Sequence, residues 1–131
     1  RAVAEIRRVL VPDGVLWCAT YGEHGIQVFL AETFASFGVR DSLNRNFTLQ
    51  NGEATLRRWF SEVTLYRYED ALHVTDVGDM ADYALSLLSM EPLRALPREE
   101  VTAALERRAE NGILTVPKEY GVFAARKGEP L

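Results

Sequence analysis

Few residues in this chain are equipped for chemistry. Of its two histidines and one cysteine, His24 has the most suggestive surroundings. It lies in the polar stretch Tyr21-Gly22-Glu23-His24-Gly25, directly after an apolar run over residues 15–20 that reads as a strand. Ligands of open α/β sheets collect beyond the carboxyl ends of the strands, so Tyr21, Glu23 and His24 are placed to meet one. Histidine exchanges a proton near neutral pH, which makes His24 a candidate general base or substrate contact. The competing reading is an exposed loop histidine. His73 has no comparable position and reads as structural or solvated. Cys18, inside the apolar run, reads as an inert core thiol rather than a nucleophile.

Other patterns give less. Asp76, Asp79 and Asp82 gather at the start of a predicted helix, where the helix dipole favours negative charge. Asp79 and Asp82 share a face, but no histidine or further carboxylate joins them as a metal ligand would. There is no G-x-G-x-x-G, no G-x-x-x-x-G-K, no H-E-x-x-H and no nucleophile elbow. A single cysteine excludes an intramolecular disulfide framework and Cys-based zinc motifs. The formal net charge of -4 leaves no broad basic surface for nucleic acid. The pairs Arg7-Arg8, Arg57-Arg58 and Arg107-Arg108 read as solvated helix faces. No apolar run is long enough to cross a membrane and no signal peptide is recognisable, so a cytoplasmic protein is the default expectation.

The elements that must position these residues follow from periodicity. With 131 residues, 47% of them hydrophobic and 26% charged, the composition suits one modest domain. Residues 1–10 have helical spacing, with Ala2, Val3, Ile6, Val9 and Leu10 on one side. Pro12 stops that helix and Asp13-Gly14 completes a turn. The run over residues 15–20 is continuous rather than alternating, as in a strand covered on both faces within a parallel sheet. Residues 26–37 form a strongly amphipathic helix ending at Gly38, whose aromatic stripe is either core or a lid over a pocket. Asn51 caps a short helix through Phe60 that buries Leu56, Trp59 and Phe60. Residues 63–68 alternate as a strand. Thr75 or Asp76 caps a helix to about Ser89, and Pro97 opens another that runs to Asn111 and stops at Gly112. Residues 113–116 and 121–126 read as two strand segments, and residues 128–131 as a frayed tail. The helical pattern at Arg1, with no capping residue before it, leads us to expect a fragment of a longer protein.

Several blocks carry a family resemblance. Ala4-Glu5-Ile6-Arg7-Arg8-Val9-Leu10-Val11-Pro12-Asp13-Gly14-Val15-Leu16 resembles the "EI.RVLkPGG.l" segment of class I S-adenosylmethionine-dependent methyltransferases, which joins the fourth crossover helix to the fifth parallel strand. It departs in Val11, where a basic residue is usual, and in Asp13, where glycine is usual. Phe47-Thr48-Leu49-Gln50-Asn51-Gly52 with Leu56 and Phe60 is similar to an "F.LeNG...L..yF" block of a small-molecule methyltransferase-like branch. Residues 68–75 resemble its "Y.D.L.VTd", Tyr83 and Ser86 its "Y..S", and residues 118–127 its closing "K..G.F.A.K". These blocks occur in the family's order over nearly the whole chain.

The resemblance implies an α/β fold, the C-terminal portion of a Rossmann-like methyltransferase sheet. Residues 1–131 would hold its last three strands, the final one antiparallel, with inserted helices. The family's cofactor-binding elements belong to the N-terminal half, which would be absent, so no residue is carried over as an S-adenosylmethionine ligand. The segment after the fifth strand and the helical insertion usually form the substrate side. That makes Tyr21, His24 and Asn51 substrate-binding candidates, with His24 the catalytic one, and implies a small-molecule methyl acceptor. A fragment of this kind would be inactive alone and would self-associate through its unpaired strand edge. The alternative from a different class is a non-catalytic α/β module that uses its aromatic helix, residues 26–37, for assembly.

Overall fold

A computed structural model describes residues 1–128; the rest of the expected frayed tail lies outside the described residues. Five α-helices, α1 (Ala2–Val9), α2 (Ile26–Thr33), α3 (Gly52–Arg57), α4 (Val77–Ser86) and α5 (Arg98–Glu106), accompany three strands, β1 (Val15–Tyr21), β2 (Glu62–Val74) and β3 (Leu114–Arg126). The fold is mixed α/β. The sheet has the order β1-β3-β2. β3 is antiparallel to β1, with Val15 opposite Arg126 and Tyr21 opposite Tyr120. It is antiparallel to β2 as well, since Ser61 N–H donates to the Arg126 carbonyl at one end and Lys118 reaches Asp70 at the other. β1 and β2 therefore point the same way.

The residues divide into two compact units. One comprises Arg1–Glu23, Asn44–Glu69 and the chain from Glu119 onward; the other comprises His24–Leu43 and Asp70–Lys118. The first buries Leu49, Leu56, Phe60, Val63, Phe123 and Ala125, with Val3 of α1 and Leu10 just beyond it packed against them. The second buries Leu30, Phe34, Met90, Leu93, Leu105 and Leu114 among others. The aromatic side chains Phe29 and Phe34 of the second amphipathic segment are core residues of that unit. Arg108 is not merely solvated. Its guanidinium lies 4.0 Å from the centre of the Phe29 ring and donates to Thr33 Oγ1.

Several sequence expectations are corrected. β1 is not covered on both faces: Trp17, Ala19 and Tyr21 are exposed and alternate with half-buried Leu16, Cys18 and Thr20. Its only partner among the described residues is antiparallel β3, so a run that looked like a doubly covered parallel strand is one-sided. The amphipathic segment 26–37 breaks at Phe34 into α2 and a short 3₁₀ turn, with Gly38 at φ 88° as expected of a left-handed terminus. Asn51 precedes α3 without capping it; its side chain accepts from Thr48 N–H instead. Trp59 is exposed rather than buried. α4 stops at Ser86, and Leu88 beyond it is 89% exposed.

The last two strand segments are one strand passing through Pro117. Gly22 N–H donates to the Glu119 carbonyl and Lys127 N–H to that of Gly14, so odd-numbered residues of β3 aim their backbone groups toward β1. At residue 117 β1 has already ended, and the missing proline N–H breaks no ladder bond. Asn111 and Gly112 do not end a helix. With φ values of 52° and 77° and paired Glu110–Ile113 backbone bonds, they form the two-residue turn that Asn-Gly favours.

Candidate functional site

The Val11-Pro12-Asp13-Gly14 turn delivers the chain from α1 into β1, with Gly14 N–H donating to the Val11 carbonyl at 2.9 Å and Asp13 at φ 62°. At the far end of β1 the loop spanning residues 44–51 is stitched to the strand. Tyr21 Oη donates to the Asn44 carbonyl at 2.7 Å, Leu49 N–H to the Tyr21 carbonyl at 3.0 Å, and Thr20 Oγ1 to the Phe47 carbonyl at 3.1 Å. Asn51 holds the same loop from its other end, donating through Nδ2 to the Arg45 carbonyl and accepting at Oδ1 from the N–H of fully buried Thr48.

Tyr21 and Asn51 thus converge on one loop, and their contacts are those that fix its course. Between them runs a polar chain: Thr48 Oγ1 to Glu23, Glu23 N–H to Gln50 Oε1, and Gln50 Nε2 to Glu119 at 2.9 Å. Among the described residues no buried side-chain nitrogen or oxygen lacks a partner. Gly22 is enclosed as well, because a Cβ there would collide with the Glu119 carboxylate. The loop after β1 is therefore filled by its own side chains. His24 belongs to the other unit, where it is exposed.

That second unit contains a hollow of about 310 Å³ lined by Ile26, Leu72, Val74, Asp79, Met80 and Tyr83. Its walls come from three separate parts of the chain. Ile26 opens the helix that follows β1, Leu72 and Val74 close β2, and the rest lie on one face of α4, because positions 79, 80 and 83 recur at helical spacing. This is the carboxyl end of β2. Asp79 and Tyr83 are its polar groups, and neither side chain has a hydrogen-bond or ion-pair partner among the described residues. A larger depression of about 710 Å³ at the start of α4 includes Asp76, Gly78, Thr102 and Glu106.

No family model matches the chain, and no curated protein does. Among the described residues there is no cluster of three metal-ligating side chains, and no helix long and apolar enough to cross a membrane.

The acidic trio separates into three roles. Asp76 caps α4 by accepting from Gly78 N–H at 2.9 Å, Asp82 pairs with Arg98 at 2.9 Å, and Asp79 faces the hollow. Sequence reasoning offered Asp76 as a cap and otherwise assigned the trio to the helix dipole, without placing Asp79 on a hollow. The available signal was its i, i+4 spacing to Tyr83, with apolar Met80 between them.

Proposed function

We propose that these residues are the carboxyl-terminal part of a class I S-adenosylmethionine-dependent methyltransferase domain, forming its substrate side, with a small molecule as methyl acceptor. The observation that supports this best is the sheet. β3, last in the chain, is antiparallel to both of its neighbours, as the resemblance implies for the family's final strand. The turn that starts β1 is built by the same Val11-Pro12-Asp13-Gly14 residues that carry the resemblance. S-adenosylmethionine supplies an electrophilic methyl group on a sulfonium. The task of these residues is to hold the acceptor in line with it and exclude water. On this reading the cofactor is held by sequence that precedes these residues in the intact protein. His24 is the candidate base or acceptor contact.

The test uses the full reading frame. Its upstream part should encode a strand followed by a glycine-rich loop, with an acidic residue roughly 20 positions on, as in dinucleotide-binding relatives. The intact protein should bind S-adenosylmethionine in calorimetry, whereas the 131-residue chain should not. His24→Ala in the intact enzyme should slow methyl transfer more than it weakens cofactor binding. Cofactor binding by the short chain, or an upstream sequence without the loop, would refute the assignment.

A second reading, a non-catalytic interaction or assembly module, draws on the outer sheet face of the first unit. There Trp17 stacks on Tyr66 at 6.1 Å and Tyr68 on Tyr120 at 5.1 Å, and all four rings are exposed. An upstream sequence lacking the glycine-rich loop would favour it.

A further inference from the structure

We propose that the hollow bounded by α4 and the end of β2 is a binding site for a small organic cation, an ammonium group carried on an apolar body. This goes beyond the methyltransferase reading and does not depend on it.

Shape and lining come first. About 310 Å³ is at the lower end of the range for small-molecule sites, roughly 300–1,000 Å³, and suits a ligand the size of an arylalkylamine. Ile26, Leu72, Val74 and Met80 supply apolar walls, so the site favours a ligand with apolar surface to bury. Leu72 and Val74 lie on one side of β2, with exposed His73 between them on the other, and both pack against the core of their own unit. The walls are backed by packed structure.

Charge then selects the ligand class. Of the three carboxylates along α4, Asp76 is occupied by Gly78 N–H and Asp82 by Arg98. Arg98 gives its remaining bond to the Gly78 carbonyl. Asp79 alone has no partner among the described residues, and it is the one on the hollow. Tyr83 lies one helical turn further on, its hydroxyl equally unengaged, and can accept a second hydrogen bond from an ammonium or offer its ring face to the charge. The surrounding unit reinforces the preference. Its stretches hold eleven carboxylates against six lysines and arginines, a net of -5, whereas the other unit nets +1. A field of that sign concentrates cations and repels carboxylate or phosphate ligands.

The probe is 2-phenylethylamine, titrated into the isotope-labelled chain and followed by NMR, with uncharged 2-phenylethanol as its isostere. Shifts should gather on Ile26, Leu72, Val74, Met80 and Tyr83, and the amine should bind roughly fivefold more tightly than the alcohol, as expected for one exposed charge contact. Asp79→Asn should bring the amine down to the alcohol's affinity, and added salt should weaken the amine alone. Tyr83→Phe, which keeps the ring, should weaken the amine by less. Equal affinities for amine and alcohol in the unsubstituted chain would overturn the proposal whether or not Asp79→Asn folds. Shifts mapping elsewhere, or none at all, would do the same.

Discussion

At the scale of single residues, two side chains chosen from the sequence turn out to be fasteners. Asn51 satisfies the N–H of buried Thr48 and ties down the Arg45 carbonyl. Asn51→Ala should cost about 1–3 kcal/mol, because it strands a buried donor. Urea denaturation measures the loss, and faster amide exchange at Thr48 locates it; Asn51→Asp, which keeps the acceptor, should recover most of it. Asp70 offers a pH-dependent case. The hydrogen bond from Lys118, then the Ala71 N–H, hold its carboxyl below the usual carboxylate range. A folded value lower than the unfolded one stabilises above the unfolded value, and the benefit disappears as pH falls through the folded one. Lys118→Met should therefore move Asp70 back toward its ordinary titration in NMR, and any stability difference from the unsubstituted chain should vanish in acid. Burial pushes the Cys18 thiol up, consistent with the inert reading. Spacing groups Asp79 with Tyr83, but that its carboxylate stays unpaired is not legible in the sequence, for a physical reason. Whether a helix carboxylate is free depends on where a distant cation goes, and Arg98 chooses Asp82.

At the scale of elements, local chemistry was legible and partnership was not. Pro12 stopping α1, Gly38 adopting a left-handed terminus, Asp76 capping α4, and Val101, Ala104 and Leu105 facing inward all follow from short-range rules. The one-sided burial of β1 could not be read from its apolar residues, because nothing in them says that one face stays exposed. The continuity of β3 through Pro117 depends on where β1 ends, another non-local fact. Gly52 is required for space. A Cβ on Gly52 would sit 2.6 Å from the Phe123 ring and 3.0 Å from that of Phe47. Gly52→Ala should thus cost about 1–3 kcal/mol by overpacking, read as a lower denaturation midpoint. β1 also has a free side. Its even-numbered residues bond to β3, which leaves the backbone groups of Val15, Trp17 and Ala19 on an edge with no described partner strand. Uncharged edges of this kind pair with other chains. We expect concentration-dependent self-association in sedimentation, reduced by Ala19→Lys; a monomer at all concentrations would refute it.

At the scale of the whole molecule, two separate cores share a supplier. β3 contributes Phe123 and Ala125 to one and Leu114 and Val116 to the other, and it is the middle strand of the sheet. It follows the other described elements in sequence, and it pairs Arg126 with the distant Val15. Contacts so distant in sequence form late and slowly. β1 and β2 therefore lack the strand that joins them until β3 has left the ribosomal exit tunnel. Stalled nascent chains that have not yet exposed β3 should be cut readily by protease at sites that become resistant once it emerges. Through that interval β1 and β2 depend on whatever shields them, and a pause in the codons for β3 would hold them without the strand that lies between them.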